Sequence, residues 1–104
     1  MMSQIDRAGF KKWLLDNGHS NNKVIGDTVS RADRVRKAFE GVDPDFSYER
    51  EIAKDDAQSI CHLMSRRGVR ISQDINLPIG SNQMDSISAA AKNYILFLRS
   101  KKKQ

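Results

Sequence analysis

Between positions 20 and 40 the chain repeats one pattern that few folds can accommodate. Ile25, Val29, Ala32, Val35 and Phe39 follow one another at intervals of three or four residues. That spacing gathers them on a single face of an α-helix and leaves the other face polar. A helix with one apolar stripe must bury it against another element, and the neighbouring segments are patterned the same way. The stripe predicts a helix over about 20–40, with Ser20 or Asn21 as its N-cap and Gly41 as its stop.

Three further helices follow from the same reasoning. Ile5, Phe10, Trp13 and Leu14 share a face, which predicts a helix over about 3–16, capped by Ser3 and closed by Asn17-Gly18. Ile52, Ala57, Ile60, Leu63 and Met64 predict a helix over about 47–67, opened by Ser47 and ended by Ser65-Arg66-Arg67-Gly68. Ile87, Ala90, Ala91, Tyr94, Phe97 and Leu98 predict a last helix over about 84–101. Between them, Val69, Ile71 and Ile75 alternate with polar residues, but a lone strand has nothing to pair with. The segment is read as an extended loop held to the core by Leu77, Pro78 and Ile79. The expected fold is all-α, four helices around one core, in a single domain spanning 1–104. Only two prolines interrupt 104 residues, and no apolar run approaches the ~18 residues of a membrane span. The start of the chain carries no secretory pattern and Cys61 has no second cysteine, so a cytoplasmic setting is expected.

Little in the sequence can do chemistry. His19, Cys61 and His62 are the only soft metal ligands, and no Cys-x-x-Cys or His-Glu-x-x-His spacing is present. Cys61 and His62 are consecutive on a helix and point about 100° apart. Cys61 reads as a core residue and His62 as a surface one. No nucleophile elbow, triad-like motif or phosphate-binding glycine loop occurs, and the acidic residues do not have calcium-loop spacing. The chain is expected to be neither an enzyme nor the carrier of a metal or cofactor.

Charge says more. The net charge is +5, but its distribution is uneven. Seven acids (Glu40, Asp43, Asp45, Glu49, Glu51, Asp55 and Asp56) stand between positions 40 and 56 against Arg50 and Lys54 alone. Outside that segment 16 bases face 6 acids. Arg31, Arg34 and Lys37 recur every third residue on the second helix, which also carries Lys23 and Arg36. Arg66, Arg67 and Arg70 follow the third helix, and Lys11 and Lys12 flank Trp13. Asp27 and Asp33 can pair with Arg31 and Arg34 within the helix, but two acids cannot neutralise five bases. Clustered arginines and lysines give salt-sensitive affinity for phosphates. Trp13 and Tyr94 could stack on bases, but their helical spacing among apolar neighbours places them in the core.

Three stretches carry a family likeness. They are Phe10-Lys11-Lys12-Trp13-Leu14-Leu15 followed by Gly18-His19-Ser20, then Lys23-Val24-Ile25, and Ser88-Ala89-Ala90-Ala91-Lys92-Asn93-Tyr94-Ile95-Leu96-Phe97-Leu98. Together they resemble the N-terminal SAM-like, or core-binding, domain of phage integrases and other tyrosine recombinases, over roughly residues 5–100. The resemblance implies a four-helix orthogonal bundle that clamps one side of a DNA duplex. It makes Lys23, Arg31, Arg34 and Lys92 candidate DNA contacts, to which the charge pattern adds Lys37, Arg66 and Arg67. The recombinase catalytic domain has no counterpart here. His62 to Arg66 does not reproduce the family's His-x-x-Arg spacing, and neither tyrosine has the expected context. The leading expectation is a non-catalytic module for double-stranded DNA. The alternative is a protein-interaction module, such as a small phage or mobile-element inhibitor. It would use Asp45, Glu49, Asp55 and Asp56 to occupy the basic groove of a nucleic-acid enzyme.

Overall fold

The computed structural model describes residues 5–102. The described residues form five α-helices: α1 (Arg7–Asp16), α2 (Asn22–Glu40), α3 (Tyr48–Asp55), α4 (Gln58–Met64) and α5 (Gln83–Lys102). A tight turn at Arg66–Gly68 follows α4, and no strand occurs among the described residues. The two long helices α2 and α5 make the principal interface, with α1 packed on α2 and α3–α4 closing the other side. Among the described residues no helix is long and apolar enough to cross a membrane.

Side chains at the helix starts explain where the helices begin. Asn21 accepts the Lys23 and Val24 N–H groups at 3.0 and 3.3 Å, and Ser47 accepts the Arg50 N–H at 3.0 Å. At α1 the capping side chain is Asp6, which accepts the Gly9 N–H at 3.0 Å. The expected cap Ser3 lies outside the described residues. The Asp6 N–H donates to Tyr94 Oη at 2.8 Å, which ties the first turn of α1 to α5.

The expected helix over 47–67 is corrected: it is two helices and a turn. Asp56 and Ala57 both adopt left-handed backbone, at φ 60° and 63°. The Asp56 N–H donates to the Ile52 carbonyl at 2.8 Å, and the Ala57 N–H reaches the Glu51 carbonyl at 3.0 Å. The second bond closes the end of α3 over one residue more than the 6→1 bond of a Schellman motif. Asp55 then accepts the Ser59 N–H at 3.1 Å and the Ser59 hydroxyl, so its carboxylate serves the first turn of α4. The break puts Ala57, Ile60 and Met64 into the core alongside Ile52. The bundle therefore has five helices rather than four.

The core is threaded by contacting rings. Phe10 meets Tyr94 edge-on at 5.0 Å, Tyr94 meets Tyr48 at 4.8 Å, and Phe39 stacks on Phe46 at 5.1 Å. Tyr48 donates its hydroxyl to the Ala32 carbonyl at 2.7 Å. Burial lifts the Tyr94 phenol to about 12 and pushes that of Tyr48 well above its usual value, so both stay neutral hydrogen-bonding groups.

The 69–82 segment is the loop that its patterning predicts. Ile71, Ile75 and Leu77 are buried and Val69 is exposed. Its far end is clamped by the Gly80 N–H donating to the Arg67 carbonyl at 2.8 Å. Arg66, Arg67 and Gly68 take positive φ in succession, at 52°, 58° and 74°. At Gly68 an added Cβ would stand 3.0 Å from Ile71 Cδ1 and 3.3 Å from Met84 Cε. Gly68→Ala is expected to lower stability by about 1–2 kcal/mol, because left-handed backbone is disfavoured with a Cβ and the pocket beneath is filled. Urea unfolding at an unchanged midpoint would show that the turn relaxes without cost.

Candidate nucleic-acid interface

The outer face of α2 is set by its own periodicity. With the apolar stripe turned inward, Lys23, Ser30, Arg34 and Lys37 come to the opposite side. Lys23 and Arg34 are eleven residues apart, close to three whole turns, so they lie nearly in line. Arg31 stands at the edge of this face that meets α5. It lines a cleft of about 300 Å³ together with Arg34, Gln83, Ser86 and Ile87. Arg34 also borders two neighbouring hollows. One is formed with Asp27, Ser30 and Arg31; the other involves Lys37, Ala38, Gly41, Asp74 and Asn76.

On this face Asp33 takes up Lys37 at 3.5 Å but reaches neither Arg31 nor Arg34. Among the described residues neither Arg31 nor Arg34 has a carboxylate oxygen within 4 Å. Asp33 points to the other edge of α2. There it receives Arg36 Nε at 2.7 Å, Arg7 at 2.5 Å and Lys37 Nζ at 3.5 Å. Arg36 continues to Glu40, and the Asp33 and Arg36 side chains are only 5% and 6% exposed. Burial alone would raise the Asp33 carboxyl. The Arg36 hydrogen bond and the charges of Arg36, Arg7 and Lys37 outweigh it and hold the group below its ordinary value.

The other predicted bases are dispersed. Arg66 is exposed on the tight turn, and Arg67 pairs with Asp85 of α5 at 3.3 Å. On the α5 wheel Asp85 faces away from Gln83, Ser86 and Ile87, so this turn and the α2 arginines flank opposite sides of α5. Lys92 lies on the exposed side of α5, roughly half a turn from the cleft-lining residues, and does not join them. Arg99 is held by Asp56, with Nε 2.9 Å from Oδ1.

The acidic segment is also divided. Asp45 and Glu49 are exposed and enter no ion pair among the described residues. Asp55 is occupied with Ser59, whose hydrogen bonds hold its carboxyl below the usual value, and Asp56 is tied to Arg99. Asp43 and Glu51 both meet Arg50. Desolvation pushes the half-buried Cys61 thiol up, which favours its protonated form. Among the described residues no three His, Cys, Asp or Glu side chains come together to hold a metal ion.

Gln83 and Ser86 were invisible as site residues in the sequence. Their only signal is a place on the first turn of a helix, and what they face depends on how α5 crosses α2. No family model matches the chain, and no curated protein or solved structure matches it either.

Proposed function

We propose that this is a non-catalytic DNA-binding domain that grips the phosphates of a duplex along the outer face of α2, in the manner implied by its resemblance to SAM-like core-binding domains. The observation that carries the reading is the pair Arg31 and Arg34. They stand one turn apart on a concave surface, without a neutralising carboxylate, while Arg36, Arg50, Arg67 and Arg99 are each engaged by acids. Unpaired guanidinium groups are free to form two-pronged hydrogen bonds to phosphate. Lys23 and Lys37 extend the same stripe.

The rings favour a duplex over a single strand. Phe10, Phe39, Phe46, Tyr48, Tyr94 and Phe97 are buried, and Trp13 is packed on Phe10 and Phe97. Binding of single strands draws on exposed rings that stack on bases, and the α2 groove has none in its lining. The acidic alternative loses two of its four residues, Asp55 and Asp56, to contacts inside the fold.

The test is a titration of random-sequence duplex DNA followed by fluorescence anisotropy at increasing salt. The reading expects log K to fall linearly with log salt, with a slope near −0.9 per phosphate contacted. Absence of binding at low salt removes the proposal.

A further inference from the structure

The cleft between α2 and the first turn of α5 has an unusual lining for its size. Each of its four polar side chains can donate hydrogen bonds: the Arg31 and Arg34 guanidinium groups, the Gln83 amide and the Ser86 hydroxyl. No carboxylate lines it, and Ile87 is its one apolar residue. Asp27 borders the adjoining hollow, yet it approaches neither arginine within ion-pair distance. A donor-rich, positively charged cleft is complementary to a compact anion that only accepts, and a phosphate group is such an anion.

The surroundings select a polymer over a free nucleotide. Arg34 is shared by three hollows that follow one another along α2, so the cleft opens into a track rather than ending in a closed pocket. A nucleotide site needs an apolar or aromatic wall for the base. Here the rings are committed to the core.

We infer that this cleft seats one backbone phosphate of a nucleic-acid strand running along α2, and that Gln83 and Ser86 are contact residues for it. The inference rests on the DNA-binding reading above and adds a second helix to the interface. The two guanidinium groups supply the charge. Gln83 and Ser86 supply uncharged hydrogen bonds to the phosphate oxygens the arginines leave open. Charge and hydrogen bonding then separate experimentally, because only cationic contacts release counterions.

The experiment compares Gln83→Ala/Ser86→Ala with the unaltered chain on random-sequence duplex DNA across a salt series. Both side chains are exposed, so the fold should tolerate the change; the thermal midpoint checks this. The expected result is a loss of about tenfold in affinity with an unchanged salt slope. Gln83→Glu, which places a carboxylate against the arginines, should lose more than Gln83→Ala. Variants that bind like the unaltered chain overturn the seat and leave the DNA-binding reading standing. Failure of the unaltered chain to bind at low salt overturns both. In a parallel arm, vesicles containing phosphatidylserine are sedimented with the same proteins. Vesicle binding that the double variant loses, with DNA binding intact, would assign the anion to a lipid headgroup and also overturn the inference.

Discussion

Arg31→Ala/Arg34→Ala is expected to weaken duplex DNA binding roughly a hundredfold near physiological salt, and to flatten the salt dependence by about one unit. The two guanidinium groups share the one phosphate seated in the cleft, hence about one unit of slope, and a charge-assisted hydrogen bond is worth about 1.5–3 kcal/mol. The loss should be the same on unrelated sequences, because phosphate contacts carry no base information. Stability should barely move, since Arg31 and Arg34 take part in no ion pair among the described residues. Arg31→Lys/Arg34→Lys separates charge from geometry: the slope should persist while the two-pronged contact is lost. Arg99→Ala serves as a comparison, because that base is already engaged by Asp56. If the double alanine variant keeps both affinity and slope, α2 is not the DNA-binding face.

The second large effect concerns stability. Asp33→Ala is expected to cost about 3 kcal/mol, or on the order of 15 °C in the thermal midpoint of a domain this size. Asp33 is the common partner of Arg36, Arg7 and Lys37, and through Arg7 it joins α1 to α2. Removing it leaves the buried Arg36 guanidinium with one anion fewer. Asp33→Ala/Arg36→Met/Glu40→Gln should recover much of the loss, because replacing the whole Asp33–Arg36–Glu40 chain avoids burying a charge. The same carboxylate sets an acid limit. Its pKa in the fold lies below the ordinary 3.8, so its contribution is complete above that value. It disappears as the pH falls through the lower folded value. Between neutral pH and about pH 4, then, the stability difference between the unaltered chain and Asp33→Ala should be constant, and it should shrink below that. Chemical denaturation across this range measures it; a difference under about 0.5 kcal/mol at pH 7 would mean that the network contributes nothing net.

Much of this architecture is written in local patterns. The stripe from Ile25 to Phe39 specifies α2 and its buried face, and Asn21, Ser47 and Asn17-Gly18 mark ends that the structure keeps. The break after α3 is not marked in this way. It uses left-handed backbone at Asp56 and Ala57, positions with no glycine to announce a turn, and it is stabilised by hydrogen bonds back to Glu51 and Ile52. Since Ile52, Ala57, Ile60 and Met64 fit one continuous stripe equally well, periodicity could not reveal it. The charge pattern was legible in bulk but not in its pairings. Spacing offers Asp27 to Arg31 as an i, i+4 pair, whereas Asp33 and Arg34, being consecutive, do not face each other. Packing turns Asp33 toward Arg7 on α1 and leaves both arginines without an acid. Gln83 and Ser86 have no local signature at all, because their significance comes only from the crossing of two distant helices.

Trp13 is the chain's one indole, wedged between Phe10 and Phe97 with ring centroids 6.2 Å away in each case. Phe97 lies about 16 Å along α5 from Ser86 at the helical rise, so the emitter sits toward the far end of that helix from the cleft. Its fluorescence is therefore a gauge of folding that the ligand should leave alone. Emission will shift when the core loosens and stay steady while oligonucleotide is added, giving every variant its own internal check on integrity in the cuvette used for binding.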